Sequence, residues 1–119
     1  MEEEAVTWRI FGIYLLLLLV MLLGNTASSQ VVVTEFNAEW NKSNGVKWLG
    51  ELDDCEITKV DIGKHPKFQK KHKIVVVPTI IIFKDGEEVK RFQADISFSM
   101  KATREEIQEV INDQLMSDF

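Results

Sequence analysis

The stretch "VVVPTIIIFKDGE", residues 75–87, decides how this chain folds. With Ile74 in front it is the most apolar run after the N-terminal leader, and its β-branched side chains suit a strand buried on both faces. Asp85-Gly86 then supplies a dipeptide that accepts the left-handed backbone of a two-residue hairpin turn. "EVKRFQA" (88–94) continues as the returning strand, so this region reads as an antiparallel hairpin.

Upstream, "VVVTEF" (31–36) has the same β-branched, mostly apolar character, and "CEITKVDI" (55–62) alternates as a second strand. Between them, "NGVKWLGELDD" (44–54) repeats Val46, Leu49 and Leu52 at three-residue spacing, which predicts a short helix weakened by Gly50. "HPKFQKKHK" (65–73) offers Pro66 for the first turn of another short helix. Downstream, Thr103 and Glu106 form a capping box, and Ile107, Val110, Ile111 and Leu115 share one helix face. The element order is β-α-β-α-β-β-α. The helix between the first two strands makes them parallel with a right-handed crossover. The expected fold is α/β: a mixed central sheet of about four strands, the first two parallel and the last two a hairpin, with helices on both faces.

At 119 residues the chain holds one folded domain at most. Its net charge of −5 argues against a nucleic-acid partner, because phosphate binding needs a basic face. The one basic run, "KFQKKHK" (67–73), reads as a solvated helix face.

Residues 1–29 are of a different kind. "IFGIYLLLLLVMLL" (10–23) is uncharged and almost wholly apolar, nearer the secretory h-region of about 7–15 residues than the roughly 20 of a spanning helix. Ala27 and Ser29 suit cleavage before Gln30, although the preceding "MEEEAVTWR" is acidic, with Arg9 its only basic side chain. The expectation is a signal peptide or N-terminal membrane anchor over 1–29 and an exported domain over 30–119, periplasmic or extracellular. Membrane contact would come only through an uncleaved leader. Setting the leader aside removes three of the 19 acidic and one of the 14 basic side chains, leaving a net charge of −3. One cysteine, Cys55, excludes any internal disulfide.

With "VVVTEFNAEW", "TKVDIGKHP" and "VVVPTIIIFKDGE" in this order, the chain resembles the thioredoxin family from about Val31 to Met116. The resemblance implies that Pro78 is the family's cis-proline and that the backbone of Val77 pairs with an extended substrate segment. It implies that Trp40 borders the site, that Glu35 takes the place of a buried aspartate, and that Lys59 is that acid's partner. The departures matter as much. Asn41 and Asn44 stand where the family has its Cys-x-x-Cys pair, Asn37 replaces an aromatic, and Gln93 replaces a groove glycine. The link to the next strand is shorter by about seven residues, roughly two helical turns, so the helix after the site is truncated. The family's first strand and helix have no counterpart ahead of Val31.

Disulfide exchange needs a thiolate stabilised at a helix N-terminus and a second thiol to resolve the mixed disulfide. Asparagine supplies neither, but its side chain can cap a helix N-terminus, and that is the role expected of "NKSN". Glu35 and Lys59 are expected to persist as a buried ion pair. His65 and His72 lack the neighbours of a metal site and read as surface residues. Asp53, Asp54 and Glu56 around Cys55 disfavour a thiolate.

The leading expectation is a redox-inactive module, without metal or cofactor, that binds an extended peptide or partner protein through Trp40, Val77, Pro78 and the turn near Gln93. Two alternatives remain: a thiol-disulfide oxidoreductase acting through Cys55, and a structural domain that homodimerises along the exposed strand carrying Cys55.

Overall fold

The computed structural model describes residues 30–117, and the leader readings on 1–29 lie outside the described residues. Four strands form one sheet in the order β2-β1-β3-β4: β1 Val31–Asn37, β2 Glu56–Asp61, β3 Thr79–Lys84 and β4 Glu87–Gln93. β1 runs parallel to β2 and antiparallel to β3, and β3 and β4 form the hairpin. The turn residues Asp85 and Gly86 both have positive φ, 52° and 85°, as a hairpin turn of the primed type requires.

Side-chain alternation divides the core. Val31, Val33, Ile80 and Ile82 face one layer with Leu49, Leu52, Ile107 and Ile111. Phe36 and Ile81 face the other with Ala38, Ile74 and Val77. Helix α2, Arg104–Met116, covers the first face, and its Ile107 and Ile111 are fully buried. Each such side chain contributes about 1.5–3 kcal/mol by leaving water. Its first turn is held as expected: the Glu106 N–H donates to Thr103 Oγ1 at 3.2 Å. Helix α1, Pro66–Lys71, lies over the second face, which accounts for apolar residues on both sides of β1 and β3.

Two local expectations need correction. The helix predicted over 44–54 is absent; two 3-10 segments, Glu39–Asn44 and Leu49–Glu51, stand in this region. Val46, Leu49 and Leu52 are all buried, but only Leu49 lies in a 3-10 turn; Val46 stands in irregular chain and Leu52 caps the turn in extended backbone. His72 is no free surface residue. Its ring lies 5.4 Å from Phe36, 5.4 Å from Phe83 and 6.4 Å from Phe68, wedged between α1 and the sheet. Burial among these rings, with Lys71 and Arg91 nearby, lowers its pKa, against a smaller upward pull from Glu88.

Candidate functional site

The chain leaves β1 at Asn37, turns at Ala38 and enters the Glu39–Asn44 segment, which carries Trp40, Asn41 and Asn44 out at the C-terminal end of the strand. Asn41 does not cap a helix, because the 3-10 segment begins at Glu39, after Ala38, and has no side-chain cap. Asn41 is instead buried, 3% exposed, at the centre of a side-chain network. Its Nδ2 donates to Asn37 Oδ1 at 3.1 Å and to the Phe98 carbonyl at 3.0 Å, while its Oδ1 accepts from Asn44 Nδ2 at 3.0 Å. Asn37 Nδ2 returns a bond to the Asn41 carbonyl at 3.3 Å. A primary amide both donates and accepts, so one side chain ties β1, the 3-10 segment and the distant 94–102 loop together.

That loop is the part of the site sequence reasoning missed. Phe98 has φ +60° and lays its ring edge-on to Trp40, centroids 5.1 Å apart at 88°. Trp40 is still 67% exposed. Aromatic pairs of this geometry contribute about 0.5–1.5 kcal/mol beyond their area.

The bond between Val77 and Pro78 is cis. Val77 packs its side chain with Ala38 and Phe36, and among the described residues its backbone N–H and C=O have no protein partner. Val77 is only 3% exposed overall, so this free edge is narrow. The Pro78 carbonyl is taken by the Ala94 N–H at 3.0 Å, and Gln93, exposed, pairs with Thr79 at the end of β4. Pro78 and Gln93 are thus brought together.

Glu35 and Lys59 are register partners across β1 and β2, yet they do not form the buried ion pair expected. Glu35 is 5% exposed, whereas Lys59 is exposed on the edge strand and makes no ion pair with it. Hydrated ammonium on a long stem stays in water when burial offers it no better partner. Glu35 Oε2 instead accepts from the Val46 N–H at 2.7 Å. Burial pushes its carboxyl pKa up, against smaller downward pulls from that bond and from Lys59. The carboxylate lines an open cleft of about 580 Å³, together with Lys42, Lys47 and Lys59.

Cys55 precedes β2 rather than lying within it, partly buried against the first core layer. β1 and β2 are parallel and start together, so Cys55 lies a strand length from Trp40 and Asn41, about 20 Å at 3.3 Å per residue. Burial first, then Asp53 and Asp54, push its thiol pKa up. Among the described residues no group of three or more His, Cys, Asp or Glu is placed to hold a metal ion.

The family model described as Thioredoxin matches residues 23–113. A thioredoxin of Chlamydia trachomatis is 35% identical over 75 residues, covering 56% of this chain and 72% of that protein. The chloroplastic thioredoxin Y1 of Arabidopsis thaliana is 40% identical over 45 residues, 38% of this chain but only 26% of the plant protein. Among solved structures, Schistosoma mansoni thioredoxin is similar at a TM-score of 0.57 and 28% identity, covering 80% of this chain and 85% of its own. A mutant thioredoxin from Halobacterium salinarum NRC-1 gives a TM-score of 0.59 at 22% identity, with 72% and 75% covered.

Proposed function

Because this chain belongs to the thioredoxin family and carries asparagine at both positions of the cysteine pair, we propose that it is a redox-inactive binding module. It takes an extended peptide, or an extended segment of a partner protein, along the cis-proline groove. The observation that carries this reading is the free N–H and C=O of Val77 before cis Pro78, with Trp40 exposed two residues after Ala38, a member of the same packed cluster as Val77. A strand laid against Val77 gains backbone hydrogen bonds, and Trp40 supplies apolar contact. The chemistry of exchange has been taken out of the same place: Asn41 is committed to three amide hydrogen bonds and offers no nucleophile. In this reading the domain works on the exported side of a membrane, released or held there by residues 1–29.

The position of Cys55 supports the binding reading over single-thiol chemistry, since that thiol stands away from the groove and its pKa is raised. A third reading, self-association along the outer edge of β2, draws on that strand's place at the end of the sheet.

The test is a titration of isotope-labelled protein with the peptide acetyl-Val-Leu-Ser-Leu-Val-amide. Shifts centred on the Val77 amide and the Trp40 indole are expected, without turnover of a disulfide substrate. Disulfide turnover that disappears in Cys55→Ser overturns the redox-inactive reading. Shifts confined to Glu56–Asp61 favour the β2 edge instead.

A further inference from the structure

A pocket of about 330 Å³ opens beside Trp40, lined also by Ala38, Ile62, Glu39, Asp61 and Lys64. Ala38 and Ile62, which line it, belong to the same packed cluster as Val77, which ties the pocket to the proposed groove through that cluster. Its acidic groups have capacity to spare. Among the described residues Glu39 makes no ion pair or side-chain hydrogen bond, and Asp61 spends one oxygen on the Gly63 N–H at 2.9 Å and leaves the other free. Lys64 is the one basic side chain lining it. Within this pocket an indole stands with two carboxylates against one ammonium, although the same acids also border the cleft that holds Lys42, Lys47 and Lys59. A long cationic side chain fits the Trp40 side, where it can lay its stem on the indole and carry its charge to the acids.

Resting on the peptide-groove reading above, we propose that the segment bound here carries an arginine or lysine side chain seated between Trp40 and the carboxylates of Glu39 and Asp61. The neighbouring cleft at Glu35 shares Glu39 and Asp61 with this pocket but is the poorer seat for a cation, because Lys42, Lys47 and Lys59 line it as well. Val77 supplies the sequence-independent pairing, and this pocket supplies the discrimination between segments.

The experiment uses the full chain and three fluorescein-labelled peptides, acetyl-Val-Leu-X-Leu-Val-amide, with X arginine, norleucine or glutamate. The arginine peptide is expected to bind about tenfold more tightly than the norleucine peptide, equivalent to about 1.4 kcal/mol, and the glutamate peptide more weakly than either. The arginine advantage should shrink as salt is raised from low to high concentration, because both acids are at the surface. It should vanish in the double variant Glu39→Gln, Asp61→Asn, which keeps an oxygen for the Gly63 N–H. Equal binding of all three peptides, with the Trp40 indole still responding, overturns the basic-pocket proposal and leaves the groove intact. An arginine preference that persists in the double variant also overturns it, by placing the selectivity elsewhere. If no peptide binds, the groove reading itself fails and this inference with it.

Discussion

Removing the Asn41 side chain is the most direct probe of what organises the site. Asn41→Ala deletes three side-chain hydrogen bonds at a position 3% exposed and leaves Asn37 Oδ1, the Phe98 carbonyl and Asn44 Nδ2 without that partner. At about 1 kcal/mol per bond the loss is about 3 kcal/mol, reduced to roughly 2 where water reaches the released groups. Asn44 is itself exposed, so Asn44→Ala, which removes only the outer bond, should cost less than about 1 kcal/mol. Asn41→Asp is the sharper variant. It keeps the shape but turns a donor into an acceptor opposite two oxygens, so it should exceed the alanine cost at neutral pH and recover as the carboxyl is protonated in acid. Urea unfolding reads each case as a lowered midpoint with an unchanged slope. If Asn41→Ala and Asn44→Ala are indistinguishable, the amide network is not what ties the 94–102 loop to β1, and the reasoning fails.

Three further outcomes follow from burial and charge. Glu35 has a raised folded-state pKa, so its ionisation opposes folding: as pH rises above 4.5, wild type should lose stability relative to Glu35→Gln until the buried carboxyl is fully ionised, as thermal midpoints across pH 4–8 will record. His72 has the opposite linkage. Its folded-state pKa lies below 6.5, so the unfolded chain takes up its proton first, and wild type should lose stability relative to His72→Phe as pH falls through 6.5; parallel curves would rule out the aromatic wedge as the cause. Ile107→Ala, at a fully buried position where α2 meets the sheet, should cost about 2–5 kcal/mol, and a loss below 1 by calorimetry would mean that α2 contributes little to the core.

The sheet was legible because its signals are local. Asp85-Gly86 fixes the hairpin within two residues, and β-branched runs at 31–36 and 79–83 mark strands packed on both sides. Pro66 and Thr103 likewise announce helix starts from their own backbone chemistry. What escaped was long-range or depended on depth. Three-residue apolar spacing over seven positions fits a short α-helical stripe and an irregular stretch with a single 3-10 turn alike, so Val46, Leu49 and Leu52 are buried although the helix is absent. Phe98 sits 57 residues from the amide that holds its carbonyl, in a loop without periodicity, and no pattern in the chain announces that contact. The resemblance paired Lys59 with Glu35, and the strands do set them opposite each other, but a shared position does not say which partner remains in water. His72 carries no neighbouring ligand residue, which argues against a metal site yet says nothing about the phenylalanines brought to it by α1 and the sheet.

The 3-10 segment at Glu39–Asn44 also bears on what a cysteine pair placed here could do. Two codon changes would return cysteine to positions 41 and 44, but those thiols would stand in a short turn with no α-helix starting there, so the field that makes a reactive thiolate would be missing. The inner one would also inherit a buried position, where loss of its proton is disfavoured. Recovery therefore needs backbone as well as sulfur: an insertion long enough to rebuild a helix before β2, together with release of the loop carbonyl now fastened to Asn41. Each step alone yields no exchange activity and disturbs a packed network. On the proposed binding reading, a return to exchange chemistry at this site is held back like a ratchet, with the hydrogen bonds around Asn41 holding the pawl.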